Sequence, residues 1–133
     1  MVCIVCGSKT SVVNSRVARR SPKVWRRRKC NSCGNIFTTD EMPVFNQAWL
    51  IIETNRKIKS FSRDRLFLSL YESCKHRPRP VEDAAGLTDT VINKLQPMVE
   101  NGSVQKSHLK EIILICLNRF DKIAATHYQA YHP

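Results

Sequence analysis

Acidic side chains are missing from the first 39 residues of this chain, which carry nine Lys or Arg and no Asp or Glu. That absence excludes an ordinary mixed-charge surface for the segment and points to a polyanionic partner. Residues 40–133 hold thirteen basic and eleven acidic groups, so most of the formal charge of +11 belongs to the N-terminal piece. Long apolar runs are missing too. No run exceeds six residues, the length of Ile112–Leu117, far short of a membrane span. Nothing after Met1 resembles the apolar stretch of a secretory signal. The expectation is a protein of the reducing cytoplasm, with its thiols free rather than paired in disulfides.

What the acid-free segment does have is cysteine. Cys3-x-x-Cys6 and Cys30-x-x-Cys33 are two pairs separated by 23 residues. Zn²⁺ takes four soft ligands in a tetrahedron, and a two-residue gap lets one tight turn aim two thiolates at one ion. Gly7 and Gly34 follow the second Cys of each pair, where a residue without Cβ can close the knuckle. Thirty-nine residues are too few for a good apolar core, so a bound metal has to supply the stability. Counting four thiolates and one Zn²⁺ lowers the charge of the piece from nine positive to about +7. The alternative, a disulfide framework, belongs to an exported chain.

The segment reads as a strand at Val12-Val13, a basic loop over Arg16–Lys23, a strand from Val24-Trp25 and a closing strand Ile36–Thr39. Asp40 to Pro43 marks a boundary, because the charge changes sign there and Pro breaks a ladder. Beyond it, Trp49–Glu53 and Lys57–Phe61 read as a hairpin turning at Thr54-Asn55-Arg56, with Asn tolerating positive φ. Ser62 is an N-cap with Asp64 in the first turn of a helix whose stripe is Leu66, Leu70 and Cys74, flanked by Phe67 and Tyr71. Pro78 and Pro80 stop it. A second helix runs from about Glu82 to Glu100, with Val91, Ile92, Leu95 and Val99 inward and Pro97 able to end it early. Asn101-Gly102 reads as a helix stop. Ser107 is expected to cap a third helix with Leu109, Ile112, Ile113, Cys116 and Phe120 inward. A last helix starts near Asp121 and carries Ile123, Ala124, Tyr128 and Tyr131. The fold class is therefore α+β: a ribbon of short antiparallel strands, then a β-hairpin on about four helices, with domains over 1–42 and 46–133.

In a strand, Arg26 and Arg28 share one face while Arg27 and Lys29 share the other. With no acidic neighbour expected to neutralise them, one face can track phosphates and the other reach base edges, to which the guanidinium fork is suited. Arg16, Arg19, Arg20 and Lys23 extend the basic surface. Trp25 can stack on a base or on Arg, or simply cover the small core.

Taken together, Cys3-x-x-Cys6-Gly7, Val13-Asn14-Ser15-Arg16, Arg26-Arg27-Arg28-Lys29-Cys30-x-x-Cys33 and Phe37-Thr38-Thr39-x-Glu41 resemble the NrdR family. Its members are bacterial transcriptional repressors of ribonucleotide reductase genes that join a zinc ribbon to an ATP-cone domain. The likeness spans essentially the whole chain. It implies operator DNA binding through the ribbon, a homo-oligomer whose state follows ATP or dATP, a structural Zn²⁺ on Cys3, Cys6, Cys30 and Cys33, and a cytoplasmic, nucleoid-associated location. In the second domain, Phe61-x-x-x-Arg65-Leu66, Arg77-Pro78 and Asp121-Lys122-Ile123-Ala124 are similar to cone segments. The resemblance implies nucleotide contacts from Ile51, Arg56, Lys57, Lys59, Arg65 and Arg77. It fails at the hairpin, where Glu53 stands in place of a phosphate-binding Lys, Thr54 in place of a second basic residue and Arg56 in place of the turn Gly. Lys59 stands where members often carry Glu, as if it and Glu53 had exchanged sign in a cross-strand pair.

Cys74 and Cys116 fall on apolar helix faces as buried thiols. His76, His108, His127 and His132 are scattered, and no nucleophile–base constellation emerges, so the chain reads as a non-enzyme. Two other functions fit the same residues: a nucleotide-insensitive ribbon that binds DNA or RNA while the helical domain only assembles, and an adaptor that docks a cone-like domain on a reductase.

Overall fold

A computed structural model describes all residues, 1–133. The chain divides into two units, Met1–Pro43 and Val44–Pro133.

The first unit is a three-stranded antiparallel sheet in the order β1 (Thr10–Val17), β2 (Val24–Cys30), β3 (Ile36–Glu41). β1 is longer than its Val pair suggests and takes Arg16 into the ladder opposite Trp25. A bulge falls between Val12 and Asn14. β3 runs on through Asp40 and Glu41, so the change of charge sign lies inside the sheet. Little of this unit is buried: Val12, Val13, Val17 and Ile36 are exposed, and its fully buried residues are Cys3 and Cys30. Its order must come from the cysteine cluster.

The second unit begins with a single helical turn, α1 (Phe45–Ala48), which sequence periodicity does not reveal. Phe45, Trp49 and Phe61 form a ring cluster, with the Trp49 and Phe61 centroids 5.5 Å apart. The expected hairpin is present as β4 (Leu50–Ile52) and β5 (Ile58–Ser60). Its positive φ falls on Arg56 (62°) rather than Asn55. The Asn55 side chain instead accepts a hydrogen bond from the Lys57 amide at 3.1 Å, as short polar side chains do in turns. The turn is closed by two backbone bonds, Arg56 N–H to Glu53 O and Glu53 N–H to Lys57 O.

Helix α2 (Arg63–Cys74) starts at Ser62, whose hydroxyl accepts from the Arg65 amide, with Asp64 in the first turn. Helix α3 (Pro80–Leu95) places Pro80 in its first turn, where the missing N–H costs nothing. Pro97 does end it early, and a 3-10 turn over Gln96–Met98 follows. Val99 therefore lies outside the helix and is only half-buried. Asn101 and Gly102 both have positive φ. They form a two-residue turn in which Glu100 and Ser103 exchange both backbone hydrogen bonds. The turn feeds a strand missed in the sequence, β6 (Ser103–Gln105), which pairs in parallel with β4. Parallel pairing is a tertiary event with no local signal in three residues.

Helix α4 (Lys106–Phe120) begins one residue before Ser107, with Gln105 at the cap position and no side-chain cap, so Ser107 lies in the first turn. Ile113, Cys116 and Leu117 are its buried residues, whereas Phe120 is exposed. Helix α5 (Lys122–Tyr131) is capped by Asp121 and buries Ala124, Ala125 and Tyr128, leaving Ile123 and Tyr131 exposed. The Phe120 ring instead lies under the Arg77 guanidinium, 4.3 Å from its centroid. Leu70, Val91, Leu95, Leu117 and Cys74 are fully enclosed at the centre of the unit. No helix is long and apolar enough to cross a membrane.

Candidate metal centre, basic strand and helical-unit cleft

The two knuckles bring Cys3, Cys6, Cys30 and Cys33 together, with all four Sγ atoms within 4.8 Å of one another. Cys3 and Cys33 lie 3.7 Å apart and Cys6 and Cys30 3.5 Å apart. A Zn–S bond of about 2.3 Å in a tetrahedron implies S···S separations near 3.8 Å. All six cysteines are free thiols. The turns also aim donors at sulfur: Val5 N–H at Cys3, and Ser32 and Cys33 N–H at Cys30, each at 3.4 Å. Gly7 and Gly34, at φ of 73° and 74°, make these turns.

The charge within the cluster is uneven. The Ser8 hydroxyl and amide hold the Cys6 thiol down at about 6. Amides of Cys6 and Val5 lower that of Cys3. The Asn35 amide pulls Cys33 the same way, yet the neighbouring thiols, Cys6 foremost, drive it up to about 12. Four sulfurs this close cannot all ionise alone, and a dication among them removes the conflict. The donor set thus fits one zinc ion.

Strand β2 leads straight into this cluster, since Arg26–Lys29 precede Cys30. Arg27 and Lys29 are exposed; Arg26 and Arg28 are half-buried on the opposite face. There Arg26 donates to Glu41 at 3.1 Å and Arg28 to the Thr39 hydroxyl at 3.3 Å. The expectation that no acid neutralises the arginine run is corrected by Glu41, which the longer β3 brings alongside. Trp25 is half-buried, and the Arg16 guanidinium lies 5.9 Å from its ring. Arg19 and Arg20 are exposed in the β1–β2 loop, with Lys23 half-buried at its end.

In the second unit, a cleft of about 210 Å³ opens between β4, β5, α2, α4 and α5. Ile51, Lys59 and Arg65 line it, but Arg56, Lys57 and Arg77 do not. Arg77 is committed elsewhere, at 2.6 Å from Asp83 and 2.8 Å from Asp121. Its floor is apolar, with Phe61, Leu66, Leu109 and Ile113. Residues not foreseen as lining it include Lys106, Tyr128 and His132. Lys106 reaches the cleft because β6 pairs with β4, so no pattern in the sequence announces it. Glu53 and Lys59 do pair, at 2.9 Å, and Lys106 stands 3.5 Å from the same carboxylate oxygen. The Lys59 hydrogen bond lowers the Glu53 pKa, against a smaller effect of burial.

Residues 1–41 match the family description "Transcriptional repressor NrdR-like, N-terminal domain". Proteins named transcriptional repressor NrdR align with nearly the whole chain. That of Symbiobacterium thermophilum is 28% identical over 99% of this chain and 87% of its own length. Those of Psychrobacter cryohalolentis and a Ruegeria species are each 31% identical over 99% of this chain, covering 86% and 84% of their own lengths. The chain belongs to the NrdR family. Among NrdR proteins, then, this one presents a cleft whose hairpin carries Glu53 and whose cations are Lys59, Arg65 and Lys106.

Proposed function

We propose that this chain is a zinc-dependent transcriptional repressor, not an enzyme, that binds double-stranded operator DNA through its ribbon. Cys3, Cys6, Cys30 and Cys33 hold the metal. Arg27 and Lys29 lead on the exposed face of β2, supported by Arg16, Arg19, Arg20, Lys23, Trp25, Arg26 and Arg28. The observation that carries this reading is the tetrathiol cluster at tetrahedral spacing at the end of an arginine-rich strand, in a chain whose relatives are named repressors. The metal supplies structure only; the strand positions guanidinium groups for phosphates and guanine edges.

The regulated genes are those of ribonucleotide reductase, the protein works in the cytoplasm at the nucleoid, and its homo-oligomeric state responds to ATP or dATP bound in the cleft. One ribbon covers little DNA, so a change in assembly becomes a change in occupancy through avidity. An apolar floor for a base beside Lys59, Arg65 and Lys106 for phosphates supports the nucleotide part.

Cys30→Ser tests the core of the proposal. The variant is expected to lose zinc and duplex affinity while its helical circular dichroism persists, because every helix lies beyond residue 43. Unchanged duplex affinity rejects the metal-built reader. Titration with ATP and dATP, with solution mass measured alongside, tests the switch. The ion pairs that already engage Lys59 and Lys106 favour a second reading, a nucleotide-insensitive ribbon protein whose helical unit only assembles. That reading predicts an unchanged mass.

A further inference from the structure

Glu53 is the one carboxylate among the residues lining the cleft, and its side chain is only 17% exposed. Its Oε1 lies 2.9 Å from the Lys59 ammonium on β5 and 3.5 Å from that of Lys106 at the start of α4. Two cations from separate elements thus converge on a single oxygen. Arg65 completes the positive lining, while Lys57, the other lysine of the hairpin, does not take part. The Ser62 hydroxyl, also on the lining, accepts from the Arg65 amide in capping α2.

Two ammonium groups around one carboxylate oxygen is an arrangement that a phosphate oxygen would reproduce, since both ligands are oxyanion acceptors for charge-assisted bonds. We infer that Glu53 is an internal counter-ion that holds Lys59 and Lys106 in the place of a ligand phosphate, so that a polyphosphate must displace its carboxylate to bind. The inference rests on the reading of this cleft as a nucleotide site and names its regulation. The device lowers affinity for the phosphate portion and leaves the apolar floor of Phe61, Leu66, Leu109 and Ile113 untouched. It therefore sets selectivity by charge: removing the carboxylate releases two cations for the ligand and also removes a repulsion between like charges.

The test is calorimetry on the full chain and its Glu53→Gln variant with ATP, tripolyphosphate and adenosine. Glutamine keeps the shape and hydrogen-bonding reach of the side chain without its charge. ATP and tripolyphosphate are expected to bind the variant roughly tenfold more tightly in dilute buffer, with the gain shrinking as salt is raised. Adenosine affinity is expected to stay level. Equal ATP affinity in the two proteins overturns the counter-ion role while leaving the cleft as a nucleotide site. A gain for adenosine equal to that for ATP overturns it as well, because the substitution then merely opens the cleft. Failure of both proteins to bind any of the three probes overturns the nucleotide reading itself. Lys106→Met supplies a second arm: it is expected to weaken tripolyphosphate binding, and unchanged binding removes Lys106 from the mechanism. Thermal melts of each variant without ligand establish that the fold is kept.

Discussion

Asp121 takes four hydrogen bonds in the space between three helices. Its Oδ1 accepts from the Ile123 and Ala124 amides, and its Oδ2 from Arg77 at 2.8 Å and His76 at 3.0 Å. The Arg77 guanidinium, then the Ala124 amide and His76, hold its carboxyl well below the ordinary carboxylate range. A depressed acid stabilises the fold above its unfolded pKa, and that stability is lost as pH falls toward the folded value. Asp121→Asn keeps a capping oxygen but loses the charge, so it should cost about 1.5 kcal/mol at neutral pH. Urea titrations should show the gap between the two proteins narrowing as pH falls below about 5 and on toward the depressed folded value; a gap that widens on acidification would contradict this. The cap at Ser62 was legible in the sequence, as was the start of a helix near Asp121, because a short polar side chain before an apolar stripe has a local cause; that Asp121 itself is the cap was shown by the structure. Arg77 was not legible in this way. Its place in the resemblance suggested a ligand, whereas Asp83 and Asp121 decide its use, and both arrive through tertiary packing.

Elements were legible in proportion to their length and the independence of their signal. Helix α2 carries a cap, a stripe and two prolines after it, and it lies where these place it. Strand β6 carries three residues and no period. It exists because Asn101-Gly102 reverses the chain and β4 offers a free edge. Gly102 lies at φ +74°, and a Cβ there would sit 3.3 Å from the Ala48 carbonyl oxygen, so the residue identified as a helix stop in fact shapes a turn. The same limit hid Lys106 and with it half of the Glu53 clamp. In the ribbon, β2 was read correctly as alternating faces, but Glu41 was not seen as the partner of Arg26. That difference leads to a prediction about the strand. Arg27 is exposed, while Arg26 already has a carboxylate at 3.1 Å. Arg27→Ala should weaken duplex binding and flatten the slope of log K against log salt by about 0.9. Arg26→Ala should change the slope by less, and anisotropy titrations over a range of salt concentrations distinguish the two. Equal effects would show that the Glu41 pair opens fully on DNA.

At the scale of the whole molecule, charge and apolar burial are assigned to different units. Residues 1–43 hold nine basic and two acidic side chains and bury little beyond Cys3 and Cys30. Residues 44–133 hold the entire aliphatic and aromatic core. The first division is legible in the sequence as a run of 39 residues without an acidic side chain, inside which the two Cys-x-x-Cys pairs lie. The second needed only helical periodicity. What the sequence did not disclose is the cleft, whose lining comes from β4, β5, α2, α4 and α5 and so from residues far apart in the chain.

The six cysteines fall into two chemical kinds. Cys74 and Cys116 are buried, and burial pushes both thiols up, away from the reactive thiolate form. Cys6 and Cys33 face solvent and are restrained by the metal they are proposed to share. An alkylating dye followed by intact-mass spectrometry would then act as a gauge of metal loading. Four adducts should appear when a chelator strips the ion, and two more only when denaturant opens the helical core. A preparation that takes up six labels at once without denaturant would reveal a helical unit looser than its packing implies.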